Sequence, residues 1–183
     1  MVNRPDRNQR DDRRSQFDEQ GMQERVVKIS RVSKVVKGGR RLSFSAVVVV
    51  GNGEGEVGAG LGKALVIPDA VRKGNAIARA GTIQVPLQGS TIPQMITVKK
   101  GATIVIIKPA REGTGVIAAG AMRAILELAG VKDVVGKTLG SRNPINIVYA
   151  TLEALRQLRD PEKEMARRAA ALAAPVPVSG GRR

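Results

Sequence analysis

The feature that most restricts this chain is a β-branched run held between two turn signals. LSFSAVVVV, residues 42–50, has Lys37-Gly38-Gly39 before it and Asn52-Gly53 after it. Such a run reads as a strand, and the glycines at its ends supply the positive backbone angles that tight hairpins need. Upstream, Val27, Ile29 and Val32 interleave with Lys28, Arg31 and Lys34, which gives a partner strand with a basic face. Downstream, residues 56–61 return as a glycine-rich third strand. The expectation is a three-stranded antiparallel meander.

Charge is concentrated in the same place. Residues 26–41 hold six basic side chains and no acidic one. The whole chain of 183 residues sets 31 Lys and Arg against 16 Asp and Glu, a formal charge of +15, so a polyanion is the expected partner. Cys, His and Trp are absent, which removes disulfides, thiol and imidazole catalysis, zinc fingers and haem ligation. The aromatic residues Phe17, Phe44 and Tyr149 are too few for a base-stacking platform, so recognition must go through phosphate, sugar and shape. No segment approaches the ~18 apolar residues of a membrane helix, and the N-terminal stretch lacks the apolar core of a signal peptide. The expectation is a cytoplasmic chain with no membrane partner, no small-molecule substrate and no cofactor.

Residues 1–25 carry six basic and six acidic side chains with almost nothing apolar to bury, so ordering them would not be repaid. Pro68 then fits the first position of a helix with Asp69 in its first turn. Ala70, Val71, Ile77 and Ala78 make the apolar face of that helix, Arg72, Lys73, Asn75 and Arg79 the opposite one, and Gly81 its end. Residues 82–90 read as a short edge strand running into a linker. PQMITVKKGATIVIIK forms a second hairpin around Lys99-Lys100-Gly101. Glu112-Gly113-Thr114-Gly115 opens a helix through Leu128, broken only by Arg123 and Glu127 and therefore buried on most sides, and Gly130 stops it. A short strand lies in 131–138, and Asn143-Pro144 caps a helix carrying Ile145, Val148, Leu152 and Leu155. This gives a disordered tail over 1–23, an αβ domain over 24–88, a second αβ domain over 89–165, and a flexible basic tail over 166–183.

The cluster GNGEGEVGAGLGK, residues 51–63, contains G-x-G-x-x-G at Gly53, Gly55 and Gly58. A dinucleotide site needs its last glycine to open a helix, and none opens before Pro68. Gly62-Lys63 resembles the end of a phosphate loop, but Val57 replaces its first glycine and Ala64 its magnesium-binding hydroxyl. The better reading is a strand that twists sharply or that another backbone approaches closely. In the basic block, the turn Lys37-Gly38-Gly39-Arg40-Arg41 has no bulky side chain at its tip to keep phosphate from the backbone N–H groups. Arg72, Lys73 and Arg79 extend that field, and a helix face set apart from a hairpin tip suits successive phosphate rows of an A-form duplex. Lys108, Arg111 and the Gly113-Thr114-Gly115 helix start form either an anion site or an ordinary cap. Glu54, Glu56, Glu112 and Asp133 stand in turns with no His, Cys or metal set beside them, so no enzyme chemistry is supported. Nonspecific compaction of DNA would need the same charge.

ISRVSKVVKGGRRLSFSAVVVVGNGEGEVGAGLGKA and REGTGVIAAGAMRAILELAGVKDVVGKTLGSRNPINIVYATLEAL closely resemble the bacterial small-subunit ribosomal protein S-five family over about residues 24–165. The resemblance implies an α+β chain. Its N-terminal domain would be of the double-stranded-RNA-binding type and its C-terminal domain a two-layer α/β unit with a split βαβ arrangement, both docked on small-subunit ribosomal RNA. It implies that the hairpin loop, here Ser33, Lys34, Val36, Lys37, Gly38, Gly39 and Arg40, reaches RNA near the head and neck of the subunit, where changes affect spectinomycin response. It further implies that Gly113, Thr114, Gly115 and Arg123 meet ribosomal protein S-four, where changes alter decoding accuracy, and that ribosomal protein S-eight is a second protein partner. The full RNA-contact set expected is Lys28, Arg31, Ser33, Lys34, Lys37, Gly38, Gly39, Arg40, Arg41, Lys63, Arg72, Lys73 and Arg79.

Overall fold

The computed structural model describes residues 21–173. Residues 1–20 and 174–183 of the two expected tails lie outside it, while Gln23 already belongs to a strand and 166–173 to a helix. The chain runs β1 (Gln23–Val36), β2 (Gly39–Gly51), β3 (Glu56–Ala64), α1 (Ile67–Ala80), β4 (Ile83–Gln84), β5 (Ile96–Lys100) and β6 (Thr103–Pro109). It continues through β7 (Val116–Ile117), α2 (Gly120–Leu128), β8 (Val134–Gly140), α3 (Pro144–Arg156) and α4 (Pro161–Ala173). One sheet has the order β1-β2-β3-β4 and is antiparallel throughout. The other has the order β5-β6-β8-β7, with β7 parallel to β8 across the α2 crossover. The architecture is α+β, as expected.

Ala46-Val47-Val48-Val49-Val50 is continuously apolar because β2 is covered on both faces. Val47 and Val49 join the main core with Ile125, Leu126 and Leu155, whereas Ala46 and Val48 pack with Ala70 of α1. Full burial of each valine is worth about 1.5–3 kcal/mol. The same main core holds Val57 and Val85 from the first half and Val105, Ile107 and Met122 from the second. The two sheets therefore share one hydrophobic interior.

The glycines of β3 have a structural cause. A Cβ on Gly58, Gly60 or Gly62 would stand 2.2, 2.2 or 1.9 Å from the carbonyl oxygens of Ala78, Gly74 and Ala70 in α1. Two strand residues advance roughly 6.6 Å and four helix residues roughly 6 Å, so glycine at every second strand position meets every fourth helix position in step. The buried face of α1 is accordingly Ala70, Gly74 and Ala78. Ile77, expected on that face, is exposed, because backbone-to-backbone packing leaves no room for a large side chain beneath the helix.

The turn after β2 answers the nucleotide reading. Gly53 N–H donates to the Leu128 carbonyl and Gly55 N–H to that of Ala129, both at 3.0 Å. These are carbonyls that the end of α2 leaves without helical partners. The glycine amides are spent capping a helix, and no phosphate cradle remains.

The helix expected from Glu112 is a second correction. Gly113 and Gly115 turn with φ of 85° and 75°, Val116–Ile117 pairs with β8 as a strand, and α2 begins only at Gly120. Parallel pairing with a strand about twenty residues away overrides the local pattern. The cap at Asn143 is as read: its side chain accepts from Ile145 N–H at 3.2 Å, with Pro144 opening α3. Among the described residues, no helix is long and apolar enough to cross a membrane.

Candidate nucleic-acid interface

Beyond the core the β1–β2 ribbon continues as a free arm. Pairing runs without a break from Lys28↔Val47 to Val36↔Gly39, after a bulge between Val26 and Lys28. From the Ser30↔Ser45 rung to the turn, seven β1 residues carry the arm roughly 20 Å out. Val35 is 73 % exposed on one face and Val32 40 % exposed on the other, so the arm has no cover on either face toward its tip. Gly38 and Gly39 turn with φ of 88° and 153°, and a Cβ on either would meet nothing within 4 Å. Backbone conformation alone requires glycine there.

Register sorts the candidate residues. Directly paired residues share a face, so Lys28, Ser30, Val32 and Lys34 lie with Ser45, Ser43 and Arg41, and the Ser45↔Lys63 rung adds Lys63. Ile29, Arg31, Ser33 and Val35 lie on the other face with Phe44, Leu42 and Arg40. Four cations mark the first face and two the second, with Lys37 at the turn. Lys34 and Arg41 stand opposite one another, a like-charge pair that destabilises a ladder unless an anion sits between. Among the described residues, none of Lys28, Arg31, Lys34, Lys37, Arg40, Arg41 and Lys63 has a carboxylate partner. Acids appear at the root instead. Glu24 bonds Asn75 of α1, and Arg25 is paired with Glu127 of α2.

The helix part of the expected RNA set is weaker. Arg72 is engaged by Asp69 at 3.1 Å, Lys73 is exposed, and Arg79 is half-buried instead of facing solvent beside them. The structure does not bring these three together with the arm tip.

The Gly113-Thr114-Gly115 turn does hold an anion, and the anion is the protein's own. Gly115 N–H donates to the Asp133 carboxylate at 2.9 Å, and Asp133 is only 5 % exposed. That hydrogen bond first, then the Ser90 hydroxyl and the amides of Gly113 and Thr114, hold the Asp133 carboxyl below the ordinary aspartate range. Thr91 Oγ1 fixes the same segment through the Asp133 carbonyl at 2.6 Å. Lys108 is exposed on β6, in register with Val135, and Arg123 is exposed on α2. Sequence reasoning set Asp133 aside as an acid in a turn. Its separation from the glycines it serves, eighteen residues along the chain, left no local signal.

Residues 22–86 match the family model described as Ribosomal protein S5, N-terminal domain, and residues 98–169 match Ribosomal protein S5, C-terminal domain. A small ribosomal subunit protein uS5 from Nocardia farcinica is 55 % identical over 150 residues, an alignment covering 82 % of this chain and 69 % of that one. With both domain models matched in order and this identity over most of both chains, the chain belongs to the ribosomal protein S5 family.

Proposed function

We propose that this chain, by family a structural protein of the small ribosomal subunit, binds small-subunit ribosomal RNA through the β1–β2 arm. The single observation that carries the reading is the set of arm cations without carboxylate partners around an open glycine turn. Lys28, Lys34, Arg41 and Lys63 on one face, Arg31 and Arg40 on the other and Lys37 at the turn neutralise phosphates; Ser33 and the backbone of Gly38 and Gly39 supply donors. Lys73 and Arg72 add field at longer range, and Arg79 contributes least. The chain performs no turnover and acts in the cytoplasmic subunit by fixing RNA shape, head-to-body position and decoding accuracy. Residues 24–88 and 89–165 act as its two functional units, a division supported by the two sheets and the two matched models. The turn Gly113-Thr114-Gly115, set by Asp133, and Arg123 of α2 form the surface toward ribosomal protein S-four, with S-eight as the second protein neighbour.

The test is binding to small-subunit particles depleted of this protein, measured across a salt series. Lys34→Ala with Lys37→Ala should lower the slope of log affinity against log salt by about two units, at about 0.9 per phosphate, with the circular dichroism spectrum unchanged. An unchanged slope removes the arm from RNA. Competition by equal RNA and DNA duplexes separates an A-form reader from a general polyanion binder, because only the first contacts 2′-hydroxyls.

A further inference from the structure

Asn52-Gly53 is the chain's single Asn-Gly pair. With no side chain in its way, a glycine nitrogen can approach and attack the amide carbon of the preceding asparagine, which makes this dipeptide prone to deamidation. The pair lies in the turn between β2 and β3, half-buried at Asn52 and exposed at Gly53, whose φ is 74°. Its reactive atoms are nevertheless all engaged. Gly53 N–H donates to the Leu128 carbonyl at 3.0 Å. Asn52 Oδ1 accepts from the amides of Glu54 at 2.8 Å and Glu56 at 3.0 Å, and Nδ2 donates to Glu56 Oε2 at 3.4 Å. The attacking nitrogen thus keeps its proton turned toward α2, while the amide that it would attack is anchored to the start of β3.

The turn also has no slack. A Cβ on Gly51 would stand 2.3 Å from the Leu128 carbonyl oxygen, and one on Gly130 would stand 2.0 Å from that of Gly53. Backbone touches backbone on both sides. Lengthening the main chain here by one atom would carry the Gly53 and Gly55 amides off the carbonyls that α2 leaves unpaired.

We propose that Asn52 is a deamidation site gated by the α2 cap, silent while the turn is docked and reactive once it lifts. On lifting, the Gly53 nitrogen loses its proton and bonds to Asn52 Cγ, the Cγ–Nδ2 bond breaks, and Nδ2 leaves as ammonia with that proton. A five-membered succinimide remains, and water opens it. Addition at Cγ gives aspartate; addition at the former main-chain carbonyl carbon gives isoaspartate, whose main chain runs through Cβ and Cγ. Aspartate keeps the oxygen that accepts from the Glu54 and Glu56 amides. Isoaspartate, one atom longer, cannot re-form the cap. An opening that lasts long enough to react therefore leaves a permanent mark, and the freed carboxylate is a substrate for an isoaspartyl methyltransferase. The arm's contact with RNA plays no part in this chemistry.

The test follows the full chain at mildly alkaline pH, either folded or in urea, reading Asn52 conversion by peptide mass spectrometry and isoaspartate by labelled methyl transfer. Conversion should be at least about tenfold slower in the folded chain, because only the population with an opened turn reacts. Gly130→Ala sets a Cβ against the Gly53 carbonyl and should speed conversion without urea while the circular dichroism spectrum holds. Should that variant fail to fold, the natural chain in urea below its unfolding transition decides, since conversion must then rise in step with hydrogen exchange of the Gly53 amide. Isoaspartyl chains refolded from urea should lack exchange protection at Gly55, and Asn52→Asp should retain it. Equal conversion in the folded and unfolded chain would overturn the proposal. So would a folded Gly130→Ala chain reacting at the natural rate, conversion that ignores Gly53 exchange, or a protected Gly55 amide in isoaspartyl chains.

Discussion

The molecule has two hairpins with basic glycine turns, and they do different things. At the first, Lys37-Gly38-Gly39 ends an arm that leaves the core, and its cations have no carboxylate partners among the described residues. At the second, Lys99-Lys100-Gly101 ends a short hairpin held against α3. There Lys100 reaches Glu153 at 3.4 Å and lies 5.8 Å from the centre of the Tyr149 ring. The same contrast separates two sets of turn amides. Around Gly38 and Gly39 at the arm tip there is open space, whereas at the other turn Gly115 N–H is held by the Asp133 carboxylate and Thr114 N–H by the Arg111 carbonyl. A basic glycine turn is therefore no binding signal by itself. What matters is whether the fold has already supplied its counter-charge.

The contrast breaks most severely at the arm's foundation. Gly62→Val drives a side chain into the Ala70 carbonyl and should cost about 3 kcal/mol or more in urea unfolding, at the upper end of overpacking penalties. Gly101→Ala meets nothing within 4 Å and should cost only about 1–2 kcal/mol, the strain of its φ of 59°. Equal losses would mean that α1 does not rest on β3 as described.

The comparison sharpens in single substitutions at the two tips. Lys37→Ala should lower the salt slope of binding to depleted small-subunit particles by about 0.9, the share of one phosphate, and leave unfolding unchanged. Lys100→Ala should leave the slope alone. A matched fall in both would show that tip charge acts without regard to its internal partners.

Asp133→Ala removes the internal anion and should speed hydrogen exchange at the Gly113 and Gly115 amides while the arm's RNA affinity holds. The pH dependence has a definite sign. Because the folded carboxyl is held below its ordinary value, the protonated form is the disfavoured one, so its stabilisation is complete above the ordinary aspartate range. It is lost as pH falls through the lower, folded value. Urea unfolding of the natural chain and of Asp133→Asn should therefore converge in acid and separate toward neutrality; a constant gap would contradict the assignment.

The smallest effect belongs to Lys100→Ala measured as stability. Glu153 is lowered first by the Gln157 amide and then by Lys100, so the pair's contribution too is present above the carboxylate range and fades in acid. An exposed pair of this kind contributes little.

What could be read in the sequence was what is local. Asn52-Gly53, Lys37-Gly38-Gly39 and Asn143-Pro144 set turns and a cap through their own backbone preferences, and the β-branched run of β2 could hardly be anything but strand. The misreadings came from distant partners. Val116-Ile117 became a strand only because β8 lies beside it, and Gly74 of α1 is a contact surface only because Gly60 lies beneath it. The step-of-two glycines in 58–62 and the step-of-four small residues in 70–78 were both visible. Only their coincidence in space gives them meaning. The arm's charge was legible, but its division between two faces needed the register.

The central claim is that the arm tip lies against ribosomal RNA. The chain has no cysteine, so Val35→Cys gives a unique attachment point at the exposed tip. An iron chelate tethered there in assembled small subunits should cut RNA in a localised set of strands through hydroxyl radicals, while the same chelate on Met165→Cys of α4 should not reproduce that pattern. RNA left uncut from the arm tip, above the level of unmodified subunits, would contradict the account.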